Sequence, residues 1–365
     1  MSPGKHWVMI KDESASEGRE RVPGARRAAK RLRRSLAHLG GAIRTSLGDL
    51  MANGSVKRMA ETQPAARGSE DFTAETSRAT MERACARAGL DPQGAELIRL
   101  GENAVYRLRE PVIVRVSRTL AYLADVRKEV AVSRWLAEID FPAIRALRIE
   151  QPCIIADHAV TFWESLTDVE DYGTPADVAE LLVKLHELDA PAGALGLKPL
   201  DPFSRVERRI NSNGWFTPED DEYLRSRLVK LREAYSGLSF SLSSGVIHGD
   251  ASVGNVIRDR EGHPKLIDLD GVAIGPREWD LVLTALYYER FGWHTREEYE
   301  AFAQIYGFDV MAWDGYTVLA DIREFLMVTW LSQKAAQDER VAAEVRKRID
   351  DLKSGATGLR NWEPY

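Results

Sequence analysis

The densest group of chemically useful side chains lies between residues 246 and 270. Two short apolar runs there flank the polar turn Asp259-Arg260-Glu261-Gly262, a pattern that predicts a β-hairpin with Gly at its tightest position. This hairpin places Asn255 just before one strand and Asp268 just after the other, while Asp250 approaches from the preceding loop. Because amide and carboxylate oxygens suit a hard cation, these side chains predict a divalent metal site.

The spacing of these residues narrows the chemistry. The interval from Asp250 to Asn255 is that of the kinase catalytic loop, His-Arg-Asp-x-x-x-x-Asn, which a metal-binding Asp follows after a further pair of strands. Here Gly249 stands in place of the Arg. The alternative is a surface turn, in which Asp and Asn occur because they suit turns. That alternative does not explain why Asp268 and the later Gly-Pro-x-x-Trp-Asp-Leu segment at 275–281 keep the same register.

Together these residues resemble the aminoglycoside phosphotransferase and choline kinase-like family. Its signature combines a His-Gly-Asp loop, an Asn five positions on, and an Ile-Asp-x-Asp/Glu segment. The resemblance implies that Asp250 orients a substrate hydroxyl or accepts its proton. It also implies that Asn255 and Asp268 hold Mg²⁺ bridging the phosphates of ATP, and that His248 supports the loop. Asp270 either assists the metal or caps the next loop.

Two other polar residues have structural interpretations. Asp280 follows a turn and begins an apolar helical segment, so we expect a buried carboxylate that holds the catalytic loop. His186 stands alone on an apolar helical stripe, which is typical of a core histidine rather than a catalytic one.

The segment ahead of the loop predicts a nucleotide-binding sheet. Its strand-like pieces are 96–100, 104–108 and 111–116. The turn from Gly101 to Asn103 joins the first two, and in a kinase small lobe such a turn faces the nucleotide phosphates with its backbone N–H groups. We therefore predict nucleotide contacts at Gly101 and Asn103. The turn contains one Gly, fewer than the Gly-rich loop of protein kinases.

Arg115, in the third of these strands, occupies the position at which kinases place a phosphate-contacting Lys. An Arg can do the same through forked hydrogen bonds, and the kinase Lys pairs with a Glu of the following helix. Glu129, in the helix predicted over 121–138, is the predicted partner. Glu138 and Asp125 are alternatives, as is an exposed charge pair within the helix.

The resemblance implies a protein-kinase-like, two-lobed α+β fold, and the order of strand-like and helical segments agrees with it. We predict a nucleotide-binding lobe over residues 71–165, with a small antiparallel sheet and one helix. A larger, mainly helical lobe over 166–365 then carries the catalytic hairpin and the substrate site. Glu164 begins the predicted hinge, whose backbone would meet the adenine of ATP.

Composition supports this picture and separates the first 70 residues from the rest. The 365-residue chain has a net charge of −6, but residues 1–70 carry 14 Lys and Arg against 7 Asp and Glu, which leaves −13 for residues 71–365. Residues 1–70 therefore predict a basic, disordered extension. A contact with nucleic acid or anionic lipid, a solvated tail, and translated upstream sequence ahead of Met59 are its three interpretations; we expect no nucleic-acid partner.

Other function classes are disfavoured. The sequence has two widely separated cysteines, no apolar leader in its first residues and no apolar run of membrane-spanning length, so we expect a cytoplasmic protein without a membrane segment. The predicted function is an ATP- and Mg²⁺-dependent kinase of a small-molecule hydroxyl. The negative balance suits a cationic acceptor such as an aminoglycoside antibiotic. A sugar, choline, homoserine or nucleoside-like metabolite, and a non-catalytic nucleotide-binding module, are the alternatives.

Overall fold

The computed structural model describes residues 72–101, 103–169, 171–191, 193, 195–355 and 358–365. The predicted basic extension, residues 1–70, lies outside them. Among the helices that are described, none combines the length and apolar character needed to cross a bilayer.

A five-stranded antiparallel sheet forms the core of the first lobe, in the order β1-β2-β3-β5-β4. Its strands are β1 Glu96–Leu100, β2 Asn103–Arg107, β3 Val112–Ser117, β4 Cys153–Ile155 and β5 His158–Glu164. Alternate residues of β2 and β3 are buried, among them Tyr106, Val114 and Val116, so one face of the sheet packs against the protein interior.

Two helices flank this sheet. Helix α1 (Ala74–Ala88) begins at a Thr73 capping box and ends at Gly89, whose φ of 74° is the left-handed conformation that Gly adopts without strain. Helix α2 (Leu123–Glu138) follows a short 3₁₀ turn and carries Glu129 on its buried face.

The second lobe is mainly helical and contains two small ribbons. Its helices are α3 Pro175–His186, α4 Val206–Asn211, α5 Pro218–Ser236, α6 Glu278–Glu289, α7 Arg296–Tyr306, α8 Tyr316–Leu331 and α9 Glu339–Ser354. The ribbon strands are β6 Ser244–Ile247 with β9 Ala273–Pro276, and β7 Val256–Arg258 with β8 Pro264–Leu266. Helix α4 follows a turn in which the Asp201 side chain accepts the backbone N–H of Phe203.

The apolar core has two main parts. A smaller cluster fills the space between α1 and the sheet, and a larger one fills the helical lobe. Helix α2 contributes Val132 and Leu136, both fully buried, to the larger cluster, so it connects the two lobes. Each such side chain stabilises the fold by roughly 1.5–3 kcal/mol. The predicted mixed α+β class, a small antiparallel sheet followed by a larger helical part, is confirmed.

Candidate active site

The loop after β6 carries His248, Gly249 and Asp250, and its backbone is held in one conformation. His248 is fully buried, and its Nε2 donates to the carbonyl of Ile267 at 2.9 Å. Its other ring nitrogen, Nδ1, accepts the backbone N–H of Asp250 at 3.3 Å. The histidine therefore connects the loop to the end of the β7–β8 hairpin, which is the supporting role predicted for it.

Gly249 is required by the packing of this loop. Its φ is +87°, and a Cβ at this position would lie 2.4 Å from the carbonyl oxygen of Gly271. No side chain fits at that distance, and the backbone conformation also disfavours any residue other than Gly. The motif is therefore His-Gly-Asp and cannot be His-Arg-Asp in this geometry.

The Asp280 side chain also holds the backbone of this loop in place. This fully buried carboxylate accepts the N–H of His248 at 2.7 Å and that of Gly249 at 2.8 Å, and His186 Nε2 donates to it at 3.0 Å. Burial acts to raise the pKa of Asp280, but these hydrogen bonds hold it below its usual value. Asp280 is thus a structural carboxylate and His186, bonded also to Tyr306, is a core histidine, as predicted.

Asp250 points into the cleft, and its carboxylate has 60% of its surface exposed. The Nδ2 of Asn255 donates both to its Oδ2, at 3.1 Å, and to its backbone carbonyl, at 2.8 Å. Among the described residues, both hydrogen bonds of the Asn255 side chain use Nδ2, which leaves its Oδ1 as a candidate ligand oxygen.

The β7–β8 hairpin brings Asp268 alongside Asn255. The backbone N–H of Ile267 donates to the carbonyl of Asn255 at 2.9 Å, and Asp268 follows with a left-handed φ of 62°. That turn aims the Asp268 carboxylate towards the small lobe, where Arg115 Nη2 lies 3.5 Å from its Oδ1. An amide oxygen and a carboxylate are thus available for one hard cation.

Arg115 pairs with Glu129, the predicted partner, at 2.5 Å, whereas Asp125 lies against another residue, Arg205. Glu129 is 4% exposed, and burial acts to raise its pKa while the charge of Arg115 acts to lower it. The ion pair positions the guanidinium between α2 and Asp268. This is the placement that a phosphate-contacting cation requires.

Arg323, which the sequence did not single out, lies beside the catalytic loop. It comes from α8, is 5% exposed, and donates through Nη2 to the carbonyls of Gly249 and Trp279, at 3.0 Å each. Its Nη1 lies 3.5 Å from Asp250 Oδ1, and its guanidinium carbon is 3.9 Å from the centre of the Trp279 ring. A guanidinium therefore reaches the loop from a distant helix.

A single cleft of about 1630 Å³ joins these groups. Asp250, Asn255, Asp268, Arg115, Glu129 and Glu164 line it, whereas Gly101 and Asn103 are not part of its wall. The carbonyl of Gly101 is instead bonded by Arg118, at 3.1–3.2 Å. The phosphate contacts predicted for Gly101 and Asn103 remain predictions.

Two residues beside Asp250 complete the description. Asp270, whose predicted role was open, lines the cleft with Arg205 Nη2 3.9 Å from its carboxylate. Burial, reinforced by the charge of Asp268, raises its pKa to about 6. Tyr287 of α6 also lines the cleft, and burial together with the charge of Asp250 raises the pKa of its hydroxyl, which stays protonated.

A small antiparallel sheet, a helical lobe, a loop carrying a carboxylate and an adjacent hairpin with oxygen ligands define a kinase-like phosphotransferase. Sequence comparison agrees: the chain belongs to the phosphotransferase enzyme family, whose profile matches residues 93–321. The match extends over the sheet, the catalytic loop and the hairpin.

Solved structures share the fold. The chain is similar to spectinomycin phosphotransferase APH(9)-Ia, solved with ADP and spectinomycin, with a TM-score of 0.55 at 14% identity over 80% of this chain and 97% of that one. Choline kinase LicA from Streptococcus pneumoniae gives 0.53 at 14% identity, over 77% and 100%. A choline/ethanolamine kinase family protein from Mesorhizobium loti gives 0.52 at 16%, over 77% and 93%. At these identities the similarity concerns the fold alone.

A curated relative is more similar over a shorter stretch. A protein of Enterococcus faecium described as a probable ketoamine kinase is 30% identical over 136 residues. The match covers 32% of this chain and 48% of the relative, so the chain spans about half the length of that protein.

Proposed function

We propose that the protein transfers the γ-phosphoryl group of ATP to a hydroxyl group of a small molecule. In this reaction a bond forms between the acceptor oxygen and the γ-phosphorus, and the bond from that phosphorus to the β–γ bridging oxygen breaks. Asp250 orients the hydroxyl and accepts its proton. The observation that carries the proposal is the convergence of Asp250, Asn255 and Asp268 on one cleft.

The remaining roles follow from position. Asn255 Oδ1 and the Asp268 carboxylate fit a Mg²⁺ ion, because both are hard oxygen donors on adjacent backbone segments. When bound, the ion supplies positive charge to the nucleotide phosphates. Arg115, oriented by Glu129, adds a fixed cation on the side of the small lobe. We assign the adenine contact to the backbone near Glu164, at the end of β5.

Two acceptor classes have support. An aminoglycoside antibiotic fits the −13 charge of residues 71–365, which would attract a polycation. A ketoamine, a sugar joined to an amine, is favoured by the 30% identity to the Enterococcus faecium protein. Aromatic residues of the helical lobe, among them Tyr287, Trp293 and Trp330, line the cleft and suit a ring-shaped acceptor of either class.

Replacing the proposed base tests the reaction. We expect Asp250→Asn to lower phosphate transfer by about 10²- to 10⁴-fold, because the amide cannot take the proton of the hydroxyl. ATP binding should persist, since Arg115, Asn255 and Asp268 are unchanged. Transfer is measured with radiolabelled ATP on a panel of aminoglycosides, macrolides, sugars and ketoamines, and binding by calorimetry.

Asp314→Asn is the matched control. Asp314 is exposed and is not part of the cleft wall, so this variant should behave like the unmodified protein. Equal loss of transfer and of ATP binding in Asp250→Asn would show that Asp250 supports the fold or the nucleotide site, and the assigned role would be wrong.

A further inference from the structure

The acceptor side of the cleft is lined mainly by basic residues, although the net charge of the chain is negative. We define the acceptor wall as the cleft-lining residues that the helical lobe contributes outside the segment 248–273. This wall contains six basic residues and one acidic residue, Asp201. The basic ones are Lys198, Arg205, Arg208, Arg209, Arg323 and Arg348. The negative balance of residues 71–365 therefore lies elsewhere on the molecule.

Part of this wall lies at the cleft mouth, beside the hairpin. Arg205 contacts Asp125 of α2 at 3.2 Å and Asp270 at 3.9 Å. The guanidinium of Arg208 lies 4.9 Å from the centre of the Tyr122 ring, and the residue is exposed. Lys198 is also exposed, and its backbone carbonyl accepts the N–H of Ile274. Of these cations, Arg205 reaches the segment that follows Asp268, through its contact with Asp270.

The inner part of the wall also presents guanidinium groups. Arg323 and Arg348 are both at least 95% buried, and both line the cleft together with Tyr287. The carboxylate that balances Arg348, Glu344, is 2.8 Å away and is not part of the cleft wall. The carboxylates that line the cleft next to this wall are those of the catalytic segment, Asp201, and Asp125 of α2, which pairs with Arg205.

We infer that the natural acceptor carries a negatively charged group, a carboxylate or a phosphate, in addition to the hydroxyl that is phosphorylated. This inference rests on the proposed function. A carboxylate or phosphate is attracted by the six cations of the wall, and guanidinium and ammonium groups both donate charge-assisted hydrogen bonds to such anions. A polyamine would instead bring several ammonium groups next to guanidinium groups with few carboxylates to bond, and desolvating them there is unfavourable. The wall therefore favours an anionic acceptor over an aminoglycoside.

A matched series of ligands tests the charge preference. Glucose, glucuronate, glucose 1-phosphate, glucosamine and kanamycin are titrated into the protein loaded with ADP and Mg²⁺, and dissociation constants are measured by calorimetry. We expect glucuronate or glucose 1-phosphate to bind about tenfold more tightly than glucose, and both amines more weakly than glucose. The two anions separate a carboxylate from a phosphate preference. The inference is overturned if glucosamine or kanamycin binds more tightly than glucose. It is also overturned if all five ligands bind with equal affinity, or if none of them binds.

A surface variant locates the effect. The double variant Lys198→Gln with Arg208→Gln changes two exposed residues, and we expect it to remove most of the preference for anions over glucose. Arg225→Gln, an exposed arginine of α5 outside the cleft wall, should retain the preference. A preference that survives in the double variant overturns the assignment of the anion contact to Lys198 and Arg208.

The outcome is separable from that of the proposed reaction. In Asp250→Asn we expect phosphate transfer to be lost while the order of affinities in the series stays the same. A charge preference without any transfer in the unmodified protein would count against the kinase reaction, and transfer to kanamycin would count against the anionic acceptor.

Discussion

Asp250 is held from two sides by residues of different elements. Asn255 bonds its carboxylate and its carbonyl, and Arg323 bonds the preceding carbonyl and lies 3.5 Å from the carboxylate. In protein kinases an Arg next to the catalytic Asp belongs to the loop itself. Here Gly249 excludes a side chain at that position, and α8 supplies the guanidinium instead. We propose that Arg323 is a positioning residue for the base.

Arg323→Met should lower kcat by about tenfold to a hundredfold, because a small displacement of the base from the acceptor hydroxyl is costly in rate. The KM for ATP should change little, since the hydrogen bonds of Arg323 are to Gly249, Trp279 and Asp250 and not to the residues assigned to the nucleotide and the metal. Steady-state kinetics separate the two parameters. Arg323→Lys, which keeps the charge, should recover part of kcat, and so should guanidinium ions added to the Met variant.

Arg290→Met is the control for a loss of stability alone. Arg290 is largely buried and donates hydrogen bonds to Asp321 and Glu324 of α8, the helix that carries Arg323. It is not part of the cleft wall. A lower melting temperature with unchanged kcat is expected. Should both variants lose kcat and stability in parallel, Arg323 has a structural role only.

Some of these residues could be identified as site candidates from the sequence, and others could not. Asp250, Asn255 and Asp268 could be predicted because they lie within 19 positions and their spacing is set by one loop and one hairpin. Arg323 is 73 positions away from Asp250, in a largely apolar helix. The available signal was the charged pair Arg323-Glu324 between the buried Ile322 and Phe325. It gave no information about which loop the arginine would reach.

The boundaries of most elements follow from local signals, and Asp220 is the clearest case. It lies at the start of α5, where Thr217 and Asp220 form a capping box. The same carboxylate, fully buried, is bonded by Arg346 and Lys353 of α9. Burial acts to raise the pKa of Asp220, but its hydrogen bonds with Thr217, Lys353 and Arg346 lower it to about 2. A capping residue thus also joins two helices.

Asp220→Asn should lower the free energy of unfolding at pH 7 by about 2 kcal/mol, because charged hydrogen bonds within and between helices are lost. The depressed pKa means that the stabilisation is complete above about pH 4 and is lost as the pH falls through about 2. The difference between variant and unmodified protein should therefore shrink over this range. Urea unfolding at several pH values, followed by circular dichroism, measures it.

Asp221→Asn is the neighbouring control. Asp221 forms an exposed pair with Arg225 one turn along the same helix, an interaction that contributes little. A destabilisation equal to that of Asp220→Asn would show that helix charge, and not the contact with α9, determines the effect. The contact with α9 joins residues 126 positions apart, and no local sequence pattern indicates a contact at that separation.

The two lobes of the molecule meet at the hinge and along α2. We propose the boundary between residues 165 and 166, as the sequence suggested, because β5 ends at Glu164. Arg260 of the hairpin turn bonds the carbonyls of Ser165 and Leu166, at 2.7 and 3.1 Å, which anchors the hinge to the catalytic segment. The mixed α+β fold class, with a small antiparallel sheet followed by a larger helical part, could be predicted from the sequence. The basic acceptor wall could not, because net charge averages over the whole surface.

A variant lacking residues 1–70 tests the proposed organisation. We expect the same melting temperature and the same phosphate transfer as in the 365-residue chain, because the described elements of both lobes and the cleft lining lie at Phe72 and beyond. Differential scanning calorimetry and the transfer assay measure the two properties. A lower melting temperature would place part of the extension in the folded domain, and the proposed boundary near residue 70 would be wrong.

The close packing of Gly249 on Gly271 also limits which substitutions these two positions can accept during evolution. A Cβ on Gly271 would lie 2.9 Å from the carbonyl of His248, so each glycine excludes a side chain at the other's backbone. A single substitution of Gly249 by Arg, which would give the His-Arg-Asp of protein kinases, would therefore disrupt the loop. Lineages with this glycine pair are therefore expected to keep it, and to recruit the guanidinium for their base from elsewhere in the chain.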